Sequence, residues 1–312
     1  MSINKIKEVF DSLKDSSNTS WELLLLNYKT TKKLGTTYFA RQIEISPESS
    51  FEDFLSDLSD AFVGNKKPKL SKYEKICDYD GINIGHYIYK LNSKDLLISD
   101  KMDSFLESLD HADAEASIND VSYNAYVISG KIDSLDNSHY DVKLITLGRP
   151  IKNLKHKFGF VDGVFKEYDK EILSLSTNVN IIIINDDVYF MDMSAENLFD
   201  LERAYKAVCE EKTDEICQLG IVSDENEFKC FAKGGHNPRK FVTYNEAKVV
   251  HLKKLKNLKA IANKFNIKIN NNKIDTSDAQ NVEKFIKFIC DKGMIDPVDE
   301  TPREVSSAQQ WK

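Results

Sequence analysis

Twelve cationic side chains crowd into one stretch of this sequence. Lys229, Lys233, Arg239, Lys240, Lys248, Lys253, Lys254, Lys256, Lys259, Lys264, Lys268 and Lys273 stand there, and the only acid among them is Glu246. The stretch carries +11 in a chain whose net charge is -7, which leaves the remainder near −18. An acidic total argues against a general polyanion binder, but so polarised a distribution is the footprint of a polyanion site. Eleven of the twelve are lysine. Lysine is a point charge, suited to backbone phosphates more than to the bidentate reading of base edges, so the expected contact is sequence-independent. A long helix is expected over Glu246 to Phe265. At about 100° per residue, Leu255, Leu258, Ile261, Ala262 and Phe265 share one side of it. Lys253, Lys256 and Lys264 fall on the other side, with Lys259 at its flank. Neutralising about five phosphates there would weaken binding roughly 500-fold for a fourfold rise in salt. The competing reading is a solvated lysine face with no ligand.

Other chemistry is thinner. In the loop KGGHNPRKF, Gly234 and Gly235 could present backbone N–H groups to a phosphate beside Lys233, Arg239 and Lys240. An ordinary hairpin loop reads the same way, and no Walker or dinucleotide pattern is present. A smaller cluster, Arg149, Lys152, Lys155, His156 and Lys157, would extend a basic surface if adjacent. Metal-dependent nucleases use an acid followed by an acid-x-Lys on a neighbouring strand. Asp133 with Asp141 and Lys143, or Asp214 or Asp224 with Glu227 and Lys229, have that order. Such triplets arise by chance in a chain with 30% charged residues. Asp186 and Asp187 sit in a tight turn, the six histidines are scattered, and no GxSxG elbow occurs. No catalytic residue, metal or cofactor is assigned.

These residues need a scaffold. At 312 residues with 41% hydrophobic content the chain can bury a substantial core. Ile181–Ile184 reads as a buried strand, Asn185 to Asp187 as a turn and Val188–Met191 as a second strand. Ser194 is the expected N-cap of a helix carrying Glu196, Leu198, Leu201, Ala204, Tyr205 and Val208. Hairpin and helix together form the expected folding unit. Before them, Ile3, Ile6, Phe10 and Leu13 mark an amphipathic helix, and Ser20–Tyr28 and Thr36–Ile45 a pair of strands. Phe51, Phe54, Leu55, Leu58 and Phe62 mark a helix with a Ser49–Glu52 capping box. His86–Leu91 reads as a strand, and Met102 to Leu109 as a helix. Val121–Ile132 and His139–Pro150 read as a hairpin. Glu227–Tyr244 reads as a strand interrupted by the Gly-Gly loop. Ser277–Asp291 reads as a helix opened by a Ser277–Gln280 capping box and stopped near Gly293. The expected fold is α+β: an N-terminal sheet with amphipathic helices (1–115), a central antiparallel meander ending in hairpin plus helix (116–226), a basic helical arm (227–294) and a tail (295–312) that holds Trp311. The odd count of cysteines without a CxxC fits reduced thiols in a cytoplasm. No apolar run approaches the roughly 20 residues that cross a bilayer, so a place at the inner membrane face would come through a partner.

The succession DVSYNAYVISGKID, LITLGRPIKNLKHKFGF and NVNIIIINDDVYFMDMSAENLFDLERAYK resembles the KwaB family of the bacterial Kiwa antiphage defence system. In that layout a strand ends in a short acidic turn, and a second strand and a Phe-containing helix follow. Here Ile181–Ile184, Asp186, Asp187, Val188–Phe190, Leu198 and Phe199 hold those places, and the resemblance runs from about Trp21 to Ala262. It implies a cytosolic DNA-binding effector that works with a KwaA-like membrane protein of about four spans. It brings no catalytic residues. The leading expectation is sequence-independent DNA binding through Lys233, Arg239, Lys240, Lys253, Lys256, Lys259 and Lys264, in a homodimer or higher homo-oligomer, obstructing phage DNA without cleaving it. The alternatives are a magnesium-dependent nuclease and an adaptor whose lysine face meets acidic protein or lipid headgroups.

Overall fold

Four consecutive isoleucines can all be buried only if both faces of their strand are covered, and the first part of the fold meets that requirement. The computed structural model describes residues 3–14, 21–31, 33–46, 51–63, 69–79, 87–115, 122–133, 139–148, 158–161, 164–167, 173–296 and 301–304. Its first elements are α1 (Ile3–Ser12), β1 (Trp21–Thr31), β2 (Gly35–Ile43), α2 (Phe51–Val63), β3 (Lys75–Asp78), β4 (Tyr87–Asn92) and α3 (Ser99–Asp110). Next come β5 (Asp113–Glu115), β6 (Ala125–Asp133), β7 (His139–Leu147), β8 (Phe158–Val161), β9 (Val164–Glu167), β10 (Ile181–Ile184) and β11 (Asp187–Phe190). Nine of these strands form one sheet in the order β3-β4-β11-β10-β7-β6-β1-β2-β5. Only the β3–β4 and β2–β5 pairs are parallel. Strands β8 and β9 make a separate hairpin.

On one face, α1 brings Ile6, Val9 and Phe10 and α2 brings Leu55, Leu58 and Phe62 against Leu23, Leu25, Tyr126, Ile128, Ile182 and Ile184. The Phe10 and Phe62 rings stack at 4.3 Å. On the other face Phe105 of α3 meets Tyr38 and Phe199 edge-on, and Phe199 meets Phe190 in the same way. Both faces of β1 and β10 are thereby covered, and Leu23 to Leu26 and Ile181 to Ile184 are all buried. The expected hairpins β1–β2, β6–β7 and β10–β11 are present, and Asn185 takes the left-handed turn position at φ 53.

The boundaries differ from expectation. Near residue 115 the chain does not leave the sheet: β5 pairs with β2, and β6 pairs with β1. The chain divides instead after Asp200, into one compact unit of Met1–Asp78 with Gly85–Asp200 and another of Tyr79–Ile84 with Leu201–Lys312. The cause is local. Asp192, not Ser194, is the cap, accepting from the Ser194 N–H at 2.9 Å, and it opens a 3-10 helix over Met193–Phe199. Asp200 then turns left-handed at φ 55, so α4 (Leu201–Gln218) starts afresh and belongs to the second unit. Hairpin and helix α4 thus lie in different compact units. Ser49 of the expected capping box, the cluster from Arg149 to Lys157, and Trp311 lie outside the described residues.

The second unit continues with α5 (Glu225–Ala232), α6 (Asn237–Lys240), α7 (Glu246–Leu252), α8 (Leu255–Phe265), β12 (Ile269–Asn270), β13 (Lys273–Ile274), α9 (Ala279–Ile289), β14 (Gly293–Ile295) and β15 (Pro302–Glu304). Its core gathers Cys209, Ile216, Phe228, Phe241, Val249, Leu252, Leu258, Phe285, Ile286 and Ile289. The strand expected from Glu227 is helix α5. Asp224 caps it by accepting from the Glu227 N–H at 2.9 Å, Glu225 and Glu227 suit its dipole, and Phe228 and Ala232 are buried four apart. Asp278, not Ser277, caps α9, and the left-handed stop after it is Asp291 at φ 53, not Gly293. The expected tail includes a strand, β15, which pairs antiparallel with β14. The fold class is α+β, as expected.

Gly130 of β6 lies opposite Trp21 of β1, and a Cβ added there would meet Cδ2 and Cζ3 of the indole at 2.7 Å. Gly130→Ala is expected to cost about 1–3 kcal/mol, the usual penalty for overfilling a packed site. Urea unfolding followed by tryptophan emission checks it, since Trp21 is one of only two tryptophans.

Candidate nucleic-acid interface

The single helix expected from Glu246 to Phe265 is two helices, and burial explains the break. At about 100° per residue, a continuous helix would set the pair Val249 and Leu252 about 130° away from the pair Leu258 and Ala262. All four are buried in one core. The chain reconciles them by leaving helical geometry at Lys254, which is extended at φ -83 and ψ 118. The Asn257 side-chain amide donates to the His251 carbonyl at 3.0 Å, satisfying an orphan acceptor at the end of α7. Helix α8 then turns Leu258 and Ala262 inward, with Ile261 and Phe265 packed beside them. The Phe265 ring rests on Phe288 of α9 at 4.8 Å.

What is left outward is cationic. Lys256, Lys259 and Lys264 are exposed along α8, interleaved with exposed Ala260 and Asn263, and exposed Lys253 precedes the helix. The span from Lys256 to Lys264 is about 12 Å of helix axis at 1.5 Å per residue. The first turn of α8 carries no acid, and its N-cap is Lys254, whose side chain makes no capping bond. Among the described residues, Lys253, Lys254, Lys256, Lys259, Lys264 and Lys273 enter no ion pair. The other lysines of the basic stretch are held by carboxylates. Lys229 pairs with Asp214 at 2.7 Å, Lys233 with Glu210 at 2.6 Å and Lys240 with Glu283 at 3.6 Å. Lys248 pairs with Asp291 at 2.5 Å and Lys268 with Asp278 at 2.8 Å. The hydrogen bond to Glu210 holds the Lys233 ammonium above the ordinary lysine range. Five outside carboxylates therefore reduce the stretch from +11 to about +6. The remaining charge concentrates on and just before α8.

Of the seven residues expected in the site, Lys253, Lys256, Lys259 and Lys264 lie on or just before α8. Lys233 instead follows α5, and Arg239 and Lys240 are on α6. Arg239 lies with its guanidinium 5.6 Å from the centre of the Tyr205 ring, and Lys240 is bonded to Asn237 at 2.9 Å. The Gly-Gly loop does not offer a pair of open amides, because the Gly234 N–H donates to the Phe231 carbonyl at 3.1 Å. The phase conflict between Val249 and Leu258 was the sequence signal that could have revealed the helix break.

The acid-x-Lys triplets are occupied locally. The Lys143 ammonium sits 2.8 Å from both oxygens of Asp141 on β7 and is nearly buried. The Asp133 side chain lies outside the described residues. Glu227 is on a helix, not a strand, and accepts from the Thr276 hydroxyl at 3.1 Å, while Lys229 is tied to Asp214. The Asp186 carboxylate is held below its usual range by a hydrogen bond from Lys94, in keeping with a turn residue. Among the described residues no group of three or more His, Cys, Asp or Glu side chains is placed to hold a metal.

In comparisons with known proteins, residues 122–296, more than half of the chain, match the family described as Kiwa protein KwaB-like. No curated protein and no solved structure matches the chain.

Replacing Lys256, Lys259 and Lys264 together by glutamate should leave stability within about 1 kcal/mol, because open surface positions each shift it by roughly 0.5 kcal/mol or less. Lys248→Glu sets two carboxylates where Lys248 and Asp291 now meet, and should lower the melting temperature by several degrees. Thermal melts of both variants check the contrast.

Proposed function

The chain belongs to the Kiwa protein KwaB-like family, and from that premise we propose that it is the DNA-binding component of its defence system. Membership makes it a component of Kiwa antiphage defence. The DNA-binding reading is carried by one observation: the lysines on and before α8 are exposed and make no ion pair among the described residues, while five neighbours in sequence are neutralised. A row of like charges held in water costs folding free energy through repulsion. A phosphate backbone relieves that repulsion and gains affinity by releasing counterions.

In this reading Lys253, Lys256, Lys259 and Lys264 contact phosphates as point charges. Lysine on a helix face, without an arginine fork aimed at base edges, supports binding that ignores sequence. The protein acts by occupying phage DNA, not by cutting it. Among the described residues no helix is long and apolar enough to cross a membrane. Action at a membrane would therefore rest on a KwaA-like partner, and self-association of the chain would let several lysine faces follow one duplex.

Fluorescence anisotropy with duplexes of mixed sequence tests the site. Four phosphate contacts predict a log–log salt slope of about −3.6, so a fourfold rise in salt should weaken binding roughly 150-fold. The Lys256→Glu, Lys259→Glu, Lys264→Glu variant should lose binding, and each single lysine-to-alanine change should reduce the slope by about one. An unchanged dissociation constant in the triple variant would remove α8 from the site. With Mg2+ or Mn2+ present the DNA should stay intact; nicks that vanish in Asp141→Asn would restore the nuclease reading.

A further inference from the structure

Strand β2 is nine residues long, but its outer neighbour β5 pairs only with the last three, Arg41, Gln42 and Ile43. Among the described residues no strand continues that edge toward Gly35. The inner neighbour shows where the free backbone groups point. Facing residues of an antiparallel pair alternate between exchanging hydrogen bonds and turning away from each other. Tyr28 of β1 turns its N–H and C=O to the Asn124 side chain just before β6, at 2.9 and 2.8 Å. Tyr38, its partner across β1 and β2, must therefore direct its own N–H and C=O outward. The Thr36 carbonyl, two residues earlier, lies on the same edge and accepts from the Lys101 ammonium of α3 at 3.1 Å. Lys101 thus closes the turn end of the edge, and among the described residues nothing bonds the Tyr38 groups beside it.

That edge is one wall of a cleft of about 520 Å3, and Lys101, Ser104 and Ser108 of α3 line the other. The hydroxyl protons in the cleft are already committed to carbonyls. Ser104 donates to Asp100 at 3.0 Å, Ser108 to Phe105 at 2.7 Å, Thr37 to Lys29 at 3.3 Å and Tyr38 to Leu198. Their oxygens keep only the capacity to accept, so the cleft favours a ligand rich in donors. Charge points the same way. At about 100° per residue, Asp100, Asp103, Glu107 and Asp110 form a stripe on the solvent side of the cleft row, away from buried Met102, Phe105 and Leu109. All four acids are exposed, and among the described residues none enters an ion pair. Glu107 also lines the cleft, where Lys101 offsets one of the four charges and leaves about three negative.

We propose that this edge and cleft bind an extended segment of another protein in which basic and apolar residues alternate. The segment adds to the sheet as a strand beside β2, its backbone bonding the Tyr38 N–H and C=O. Successive side chains of a strand point to opposite faces. One set therefore enters the cleft, where Glu107, Asp103 and the hydroxyl oxygens receive lysine or arginine. The other set lies beside Phe39, which is half exposed on the opposite face of β2. A second copy of this chain is a poor occupant, because pairing β2 with β2 would bring two acid stripes together. The site lies wholly in the first unit and uses no residue of the α8 lysine face.

Fluorescence anisotropy of the full chain with a labelled, end-blocked heptapeptide alternating lysine and valine tests the proposal. The peptide should bind saturably, and its glutamate–valine counterpart at least about tenfold more weakly. An Asp103→Lys, Glu107→Lys double variant, both positions being exposed, should melt like the parent and bind the peptide at least about tenfold more weakly. Methylating alternate backbone nitrogens of the peptide separates strand addition from simple charge attraction. One methylated set should bind about tenfold more weakly, the loss expected for one or two backbone hydrogen bonds, and the other set should bind like the parent peptide. Sensitivity at the lysine nitrogens would mark an antiparallel strand, and sensitivity at the valine nitrogens a parallel one. Absence of saturation, equal binding of the glutamate peptide, an unaffected double variant, or two methylated peptides that bind alike would each overturn the proposal. The measurement involves neither DNA nor α8, so its failure is separate from failure of the DNA reading.

Discussion

The exposed lysine face of the second unit depends on how α8 is seated. Leu258 and Ala262 are buried in its core, and Phe265 rests on Phe288 of α9. Burying a leucine or phenylalanine contributes about 1.5–3 kcal/mol. That term far exceeds the few tenths of a kcal/mol by which each close pair of like charges opposes the helix. Hydrophobic seating therefore wins, and it dictates that Lys256, Lys259 and Lys264 stay in solvent whether or not an anion is present.

Electrostatics divides the basic stretch into two populations. The lysines of α5, α6 and α7 lie next to α4 and the α9 region, whose Glu210, Asp214, Glu283 and Asp291 reach them. These are partly exposed pairs, each worth little for stability, but together they remove charge from one side of the unit. Charge that would otherwise spread around the surface is thereby left concentrated at α8. Local concentration matters more than the net charge of -7, since screening shortens the reach of distant acids to about 8–10 Å at ordinary salt.

The first unit solves a different problem. Its sheet carries strands so apolar on both faces, Leu23–Leu26 and Ile181–Ile184, that helices must cover each side. Helices α1 and α2 serve one face and α3 with the 3-10 helix the other. Polar links hold the strands in register where the ladder ends. Asn124 bonds both the N–H and the carbonyl of Tyr28, and Asn180 accepts from the Leu147 N–H while donating to Asp192. The family match begins on this sheet and runs through the helices of the second unit, so the two units belong to one family pattern.

By itself the sequence determined what is local. Periodicity marked α1, α2, α3 and α9. Alternation and turn residues marked the three hairpins, and composition marked the basic stretch. Family resemblance, carried by the same hydrophobic patterns, pointed to Kiwa. Tertiary structure decided what depends on partners distant in the chain. No local signal said that Asp214 would reach Lys229 or Asp291 would reach Lys248, because ion pairing is set by packing and not by spacing. Pairing of β6 with β1 joined two expected domains into one sheet, and a single left-handed residue, Asp200, parted a hairpin from the helix that follows it.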